Sequence, residues 1–176
     1  MDRMRDPKTL DKCGHTFCSA CIDRSLQFKP LCPICKMCYG VLQGDQPEGS
    51  MNYTTVSTDL PGHAGCGTII ITYNFPSGIQ GTEHPNPGVY FYGTQRQAYL
   101  PNSREGQEVL ALLKRAFQAR LLFTIGRSVT TGQDNVVVWN DVHQKTRQTG
   151  GAENHGYPDP GYLQRVKEEI AAKGIN

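Results

Sequence analysis

Six of the seven cysteines in this chain crowd between Cys13 and Cys38. They run Cys13-x-His15-x2-Cys18-x2-Cys21-x10-Cys32-x2-Cys35, with Cys38 close behind. Thiolate and imidazole are donors that suit tetrahedral zinc, and a closely spaced pair lets one short turn offer both ligands to one ion. A disulfide scaffold spreads its bridges through the fold it staples, whereas these cysteines share one short segment and the polar start, Met1 to Asp6, is no secretory signal. Disulfides and free structural thiols remain the alternatives. Metal also answers an energetic problem. Residues 1–38 offer only Leu10, Phe17, Ile22, Leu26, Phe28 and Leu31 as a core, too few to fold unaided, and zinc supplies the missing folding energy. Cys66, between Gly65 and Gly67, reads as a neutral buried thiol rather than a nucleophile.

A second set of chemistry-bearing residues lies near the C-terminus. On a final helix Tyr162, Leu163, Val166 and Ile170 form an apolar stripe, Glu168 faces away, and Glu169 falls on the stripe's edge. A carboxylate at such an edge is partly desolvated, which suits it to proton handling. His155, in a glycine-bounded loop just ahead, could take a proton from an attacking hydroxyl. The plain readings stand beside these. Glu169 can equally pair in solvent with Arg165 or Lys173, four residues away. A loop histidine such as His155 or His143 is as readily structural, Trp139 at a strand end is as readily core, and His63 and His84 read as turn residues. The loop 126–132, with Ser128, Thr130 and Thr131, could offer hydroxyls and amides to a phosphate or be an ordinary hairpin loop. No Gly-x-Gly-x-x-Gly or Walker pattern supports the first choice.

The elements that must position these groups are mixed, and the fold class is α+β. Strands are expected at 67–74, 121–125 and 135–139, each rich in β-branched or aromatic residues. A helix is expected to start near Asn102, capped with Glu105, and to bury Val109, Leu110, Leu112, Leu113, Ala116 and Phe117 on one face. The last helix is expected from Asp159-Pro160 to a glycine stop at Gly174. Residues 42–49 read as a turn-rich connector, and the long loop 76–101 reads as functional. Residues 1–38 therefore form a small zinc module and residues 39–176 a compact mixed domain. A hydrophobic content of 38% over 176 residues supports a packed core, and a net charge of +2 gives no footprint for nucleic acid. The longest apolar runs are strand-sized, so no membrane span is expected. The whole reads as a soluble protein of the cytoplasm or nucleus.

The metal pattern resembles a RING finger, in which eight ligands hold two zinc ions in a cross-brace. That resemblance implies one complete site of Cys13, His15, Cys32 and Cys35. It assigns Cys18 and Cys21 to a second site, whose other two ligands would lie in a C-x2-C upstream of Met1. Cys38 is an alternative ligand for that site, disfavoured by how closely it follows Cys35. Pro33 and Ile34 occupy one of the two loops that touch the ubiquitin-conjugating enzyme (E2) in this family. Beyond the connector, Leu60-Pro61-Gly62, Gly78-Ile79-Gln80, Glu83-His84-Pro85-Asn86-Pro87-Gly88, Val138-Trp139-Asn140-Asp141-Val142-His143 and His155-Gly156-Tyr157-Pro158-Asp159-Pro160 are similar to the Deltex C-terminal domain. The resemblance implies a RING-type ubiquitin ligase linked to Notch signalling, with E2, ubiquitin and protein substrates, ADP-ribosylated ones among them, as partners. It further implies a pocket for ADP-ribose or NAD walled by Trp139, His143 and His155, with Glu169 nearby. His155 and Glu169 take the positions of the family's catalytic pair.

Overall fold

A computed structural model describes residues 6–176; the polar start, apart from Asp6, lies outside the described residues. The chain divides into two compact units, one reaching to Leu42 and including Ala171–Asn176, the other Gln43–Ile170.

The first unit is organised by turns. Strands β1 (Pro7–Thr9) and β2 (Thr16–Cys18) pair antiparallel and lead into helix α1 (Ser19–Phe28). Ile22 and Leu26 share one face of α1 at i,i+4 spacing, and Ile22 joins Leu10 and Cys32 in a small core flanked by Cys13, Phe17 and Tyr39. The helix ends before Pro30, which disfavours helical geometry in the residue ahead of it. Phe28, expected in the core, is 94% exposed instead. It sits at the helix terminus, away from the small core of Leu10, Ile22 and Cys32. The last residues belong here too: the Leu42 amide donates to the Lys173 carbonyl, and Gly174 adopts φ +87° where a Cβ would lie 1.9 Å from the Gly40 carbonyl.

The second unit is built on a three-stranded antiparallel sheet in the order β3 (Ser50–Val56), β4 (Thr68–Phe75), β7 (Thr94–Pro101). Ile69, Ile71, Tyr73 and Phe75 alternate along β4 and are all buried, as the period of two demands. Between β4 and β7 runs a two-stranded ribbon, β5 (Gly78–Ile79) with β6 (Tyr90–Phe91). Helix α2 (Arg104–Gln118) buries Val109, Leu110, Leu113 and Ala116. Its cap is Ser103, whose hydroxyl accepts the Gly106 amide, rather than Asn102. Asn102 takes the Gln107 side chain instead, at 2.6 Å. Arg120, at φ +62°, ends the helix in the left-handed region. Leu121 and Leu122 are consumed as buried exit residues, so the next strand, β8 (Phe123–Gly126), starts later than expected. It pairs with β9 (Val136–Trp139). Helix α3 spans Tyr162–Ala171, starting after the Asp159-Pro160 pair because the Asp159 carboxylate is used elsewhere.

The connector is a structural part of this unit. Gln46 is 2% exposed; its Oε1 accepts the amides of Leu122 and Phe123, and its Nε2 donates to the Phe117 carbonyl. Among the described residues no helix is long and apolar enough to cross a membrane.

Candidate functional site

In the first unit Cys13, His15, Cys32 and Cys35 bring their ligand atoms within 4.8 Å of one another. Two turns do this. Gly14, at φ +71°, folds the β1–β2 connection so that Cys13 and His15 point the same way, while the Lys36 amide closes on the Cys32 carbonyl to make a knuckle around Cys32 and Cys35. Burial opposes charge on the Cys32 thiol, but amides of Cys35 and Ile34 turned toward the sulfur outweigh it and hold the thiol below its ordinary range. Cys13 is lowered likewise: burial opposes, and the Tyr39 hydroxyl, 3.1 Å from the sulfur, favours the thiolate. Burial first, then Cys13, pushes the Tyr39 phenol up to about 12. Three sulfurs and one imidazole in a ring of this size fit tetrahedral zinc, with amide and hydroxyl donors steadying the sulfurs. Cys18 and Cys21 lie together across the start of α1 and interact with each other, but join no group of three ligands among the described residues. Cys38 turns its thiol to the Gly40 carbonyl. Between Cys32 and Cys35, Pro33 and Ile34 face solvent, Ile34 at 62% exposure.

In the second unit a cavity of about 360 Å³ gathers His143, His155 and Glu169 with Gln144, Lys145, Asp159 and Arg165. Glu169 is taken by His143: one carboxylate oxygen lies 2.7 Å from the ring Nδ1 and the other accepts the His143 backbone N–H at 2.7 Å. The His143 carbonyl accepts the Tyr162 hydroxyl at 3.0 Å. His155 stands across the cavity at φ +56°, a left-handed conformation uncommon for a residue with a side chain. Its loop is pinned by hydrogen bonds from the Arg147 amide to the His155 carbonyl and from the Gly156 amide to the Gly151 carbonyl. A Cβ at position 156 would stand 1.9 Å from the Thr149 carbonyl, so glycine is required there.

Beneath these groups lies a charge cluster that sequence reading missed. Asp159, 7% exposed, accepts Lys145 at 2.7 Å and Arg165 at 2.5 Å. Arg165 foremost, with Lys145, holds the Asp159 carboxyl down at about 2. The sequence signal was faint, since the pairing of 145 with 159 follows no helical or strand period. Gln144 is buried as well. Its Oε1 accepts the Tyr73 hydroxyl at 2.7 Å, while its Nε2 has no partner, an orphaned donor in the wall of a cavity.

Two expected pocket residues do not line this cavity. Trp139, half-buried, stacks on Phe123 at 4.5 Å and meets Tyr73 edge-on. Ser128 accepts the Thr131 amide and closes the β8–β9 loop on itself. Both oxygens of Glu169 are held by His143, and Arg165 on the same helix feels its charge. Cys66 has its thiol on the carbonyls of His63 and Gly67, and His63 packs edge-on against Tyr157.

Comparison with known proteins adds the family. Residues 43–175 match the Deltex C-terminal domain and residues 1–35 match the C3HC4-type RING finger. The chain is 53% identical over 179 residues to the human "Probable E3 ubiquitin-protein ligase DTX3", covering 99% of this chain and 51% of that protein. It is 47% identical to mouse "E3 ubiquitin-protein ligase DTX4" and 45% identical to the Xenopus laevis "E3 ubiquitin-protein ligase DTX1", covering 28% of each. The chain thus spans about half the length of the first of these relatives and less of the others.

Proposed function

This chain belongs to the Deltex family, and from that premise we propose that it is a RING-type ubiquitin ligase, moving ubiquitin from an E2 thioester to protein substrates. The observation that carries this reading is the donor set Cys13, His15, Cys32 and Cys35, with Pro33 and Ile34 exposed between its last two members. Zinc held there would fix the shape of that loop. Rate enhancement by such a unit comes from positioning the thioester, with no covalent intermediate on this chain.

The proposal extends to a ligand. The cavity of the second unit takes ADP-ribose or NAD, and ubiquitin is directed to that ligand or to an ADP-ribosylated target, in Notch-related signalling. Two features support an occupant rich in acceptor oxygens: the half-exposed Arg165 guanidinium at the wall and the polar groups of His143 and His155. A ribose hydroxyl entering here would meet His155 and the Glu169-held His143, so proton handling falls to His155 and Glu169 with His143 as a third member.

The test is discharge of ubiquitin from a charged E2 by the zinc-loaded chain, with and without NAD or ADP-ribose. Faster discharge, and transfer to ADP-ribose when it is present, is the expected result. Discharge no faster than without the chain, alongside intact NAD binding, would leave a non-catalytic ADP-ribose-binding module. That second reading draws on Cys18 and Cys21, which join no third ligand among the described residues.

A further inference from the structure

A second cavity of the same unit, of about 680 Å³, lies among the connector, the end of α2 and the β5–β6 ribbon. None of its lining residues belongs to the His143–Glu169 cavity. Its lining is mixed, with Phe91, Phe117, Pro47 and Pro76 as apolar members. Ile79 forms its lip and is 63% exposed. From that lip an apolar strip continues outward. Tyr90 is the cross-strand partner of Ile79, and the Tyr92 ring meets Tyr90 edge-on at 5.1 Å. Tyr90 and Tyr92 are 49% and 46% exposed. Apolar side chains left outward in a connected strip beside a cavity mark an interaction site rather than scattered surface residues.

The loop that carries this strip is rigid, so the exposure is built in. Gln80, 3% exposed, donates from its side chain to Asn135 and accepts the Asn86 amide, and its backbone amide donates to the Val89 carbonyl. Asn86 also donates to Asn135. A surface ordered in advance loses little entropy when a partner arrives.

Charge at the mouth decides what fits. Two carboxylates, Glu48 and Glu83, face one guanidinium, Arg120. Arg120 already donates to the Gln46 carbonyl and stands 3.7 Å from Glu83. His84 spends its Nδ1 on the Gly81 amide. Glu48 is exposed and makes no such bond among the described residues, so a carboxylate at the cavity is left for a partner's cation.

We propose that this cavity and strip dock an extended peptide segment of a protein partner, with a bulky apolar side chain entering beside Phe91 and Phe117 and an adjoining Lys or Arg meeting Glu48. The proposal does not depend on ligase activity or on nucleotide binding. It is tested with an array of octapeptides centred on Leu, Phe or Trp and flanked by either basic or acidic residues, probed with the zinc-loaded chain. Basic-flanked peptides are expected to be captured about tenfold better than acidic-flanked ones, the scale of a modest electrostatic preference. Ile79→Asp and Tyr90→Asp, both at exposed positions, are expected to abolish capture with the thermal melt unchanged, and Glu48→Lys is expected to remove the preference for basic flanks. Capture of neither set, equal capture of both, or capture indifferent to Ile79→Asp would overturn the proposal.

Discussion

Glu169 holds His143 at two points, with its carboxylate oxygens on the ring Nδ1 and on the backbone N–H of the same residue. The grip fixes the imidazole's position, and among the described residues no hydrogen bond is made by its Nε2. It couples two residues 26 positions apart. If the carboxylate works through this ring, Glu169→Ala and His143→Ala should each lower ubiquitin transfer to ADP-ribose by about two orders of magnitude or more, the range of a lost acid–base group. The double variant should then be little worse than either single one. Additive losses, with lysine ubiquitylation measured in parallel as a control, would place His155 rather than His143 in series with Glu169.

Metal removal separates the units. Chelation of the purified chain is expected to unfold the small core of Leu10, Ile22 and Cys32, since structural zinc contributes about 10–16 kcal/mol in comparable small sites. The core around Tyr73 and Phe123 should keep its near-ultraviolet signal. Cys32→Ser should act like the chelator, and metal analysis should lose the ion bound by Cys13, His15 and Cys35.

Asp159 gives a prediction in acid. Its carboxyl is lowered from an ordinary value of 3.8 to about 2 by Arg165 and Lys145. A depressed carboxyl contributes stability in full above its unfolded value and loses it as pH falls through the folded one, so this contribution should fade between about pH 4 and pH 2. Asp159→Asn should flatten that part of a pH–stability profile. Asp159→Ala, which strands the 7%-exposed Lys145 ammonium, should cost about 3–5 kcal/mol in denaturant melts at neutral pH.

The cap of α2 offers a smaller and sharper comparison. Ser103→Ala removes the acceptor of the Gly106 amide and should cost about 1 kcal/mol. Asn102→Ala, at the position the capping pattern first suggests, should cost less, because Asn102 holds only an exposed glutamine side chain.

The residue pattern alone fixed whatever is encoded within one turn or one repeat. Spacing marked the segment from Cys13 to Cys35 as metal-binding because a short turn can offer two ligands in only a few ways, and the RING resemblance grouped Cys13, His15, Cys32 and Cys35 into one site. The buried face of α2 followed from its period, down to Val109, Leu113 and Ala116. What tertiary packing decided was partnership at long separation. Trp139 stacks on Phe123 because the pairing of β8 with β9 sets them side by side, Gln46 became a buried clamp because the exit of α2 presents it with free amides, and Asp159 turned from a helix cap into the counter-ion of Lys145. A side chain near a helix or strand end is free to satisfy its charge or hydrogen bonds in several directions. The choice among them is made by whichever distant group the rest of the fold has already buried beside it.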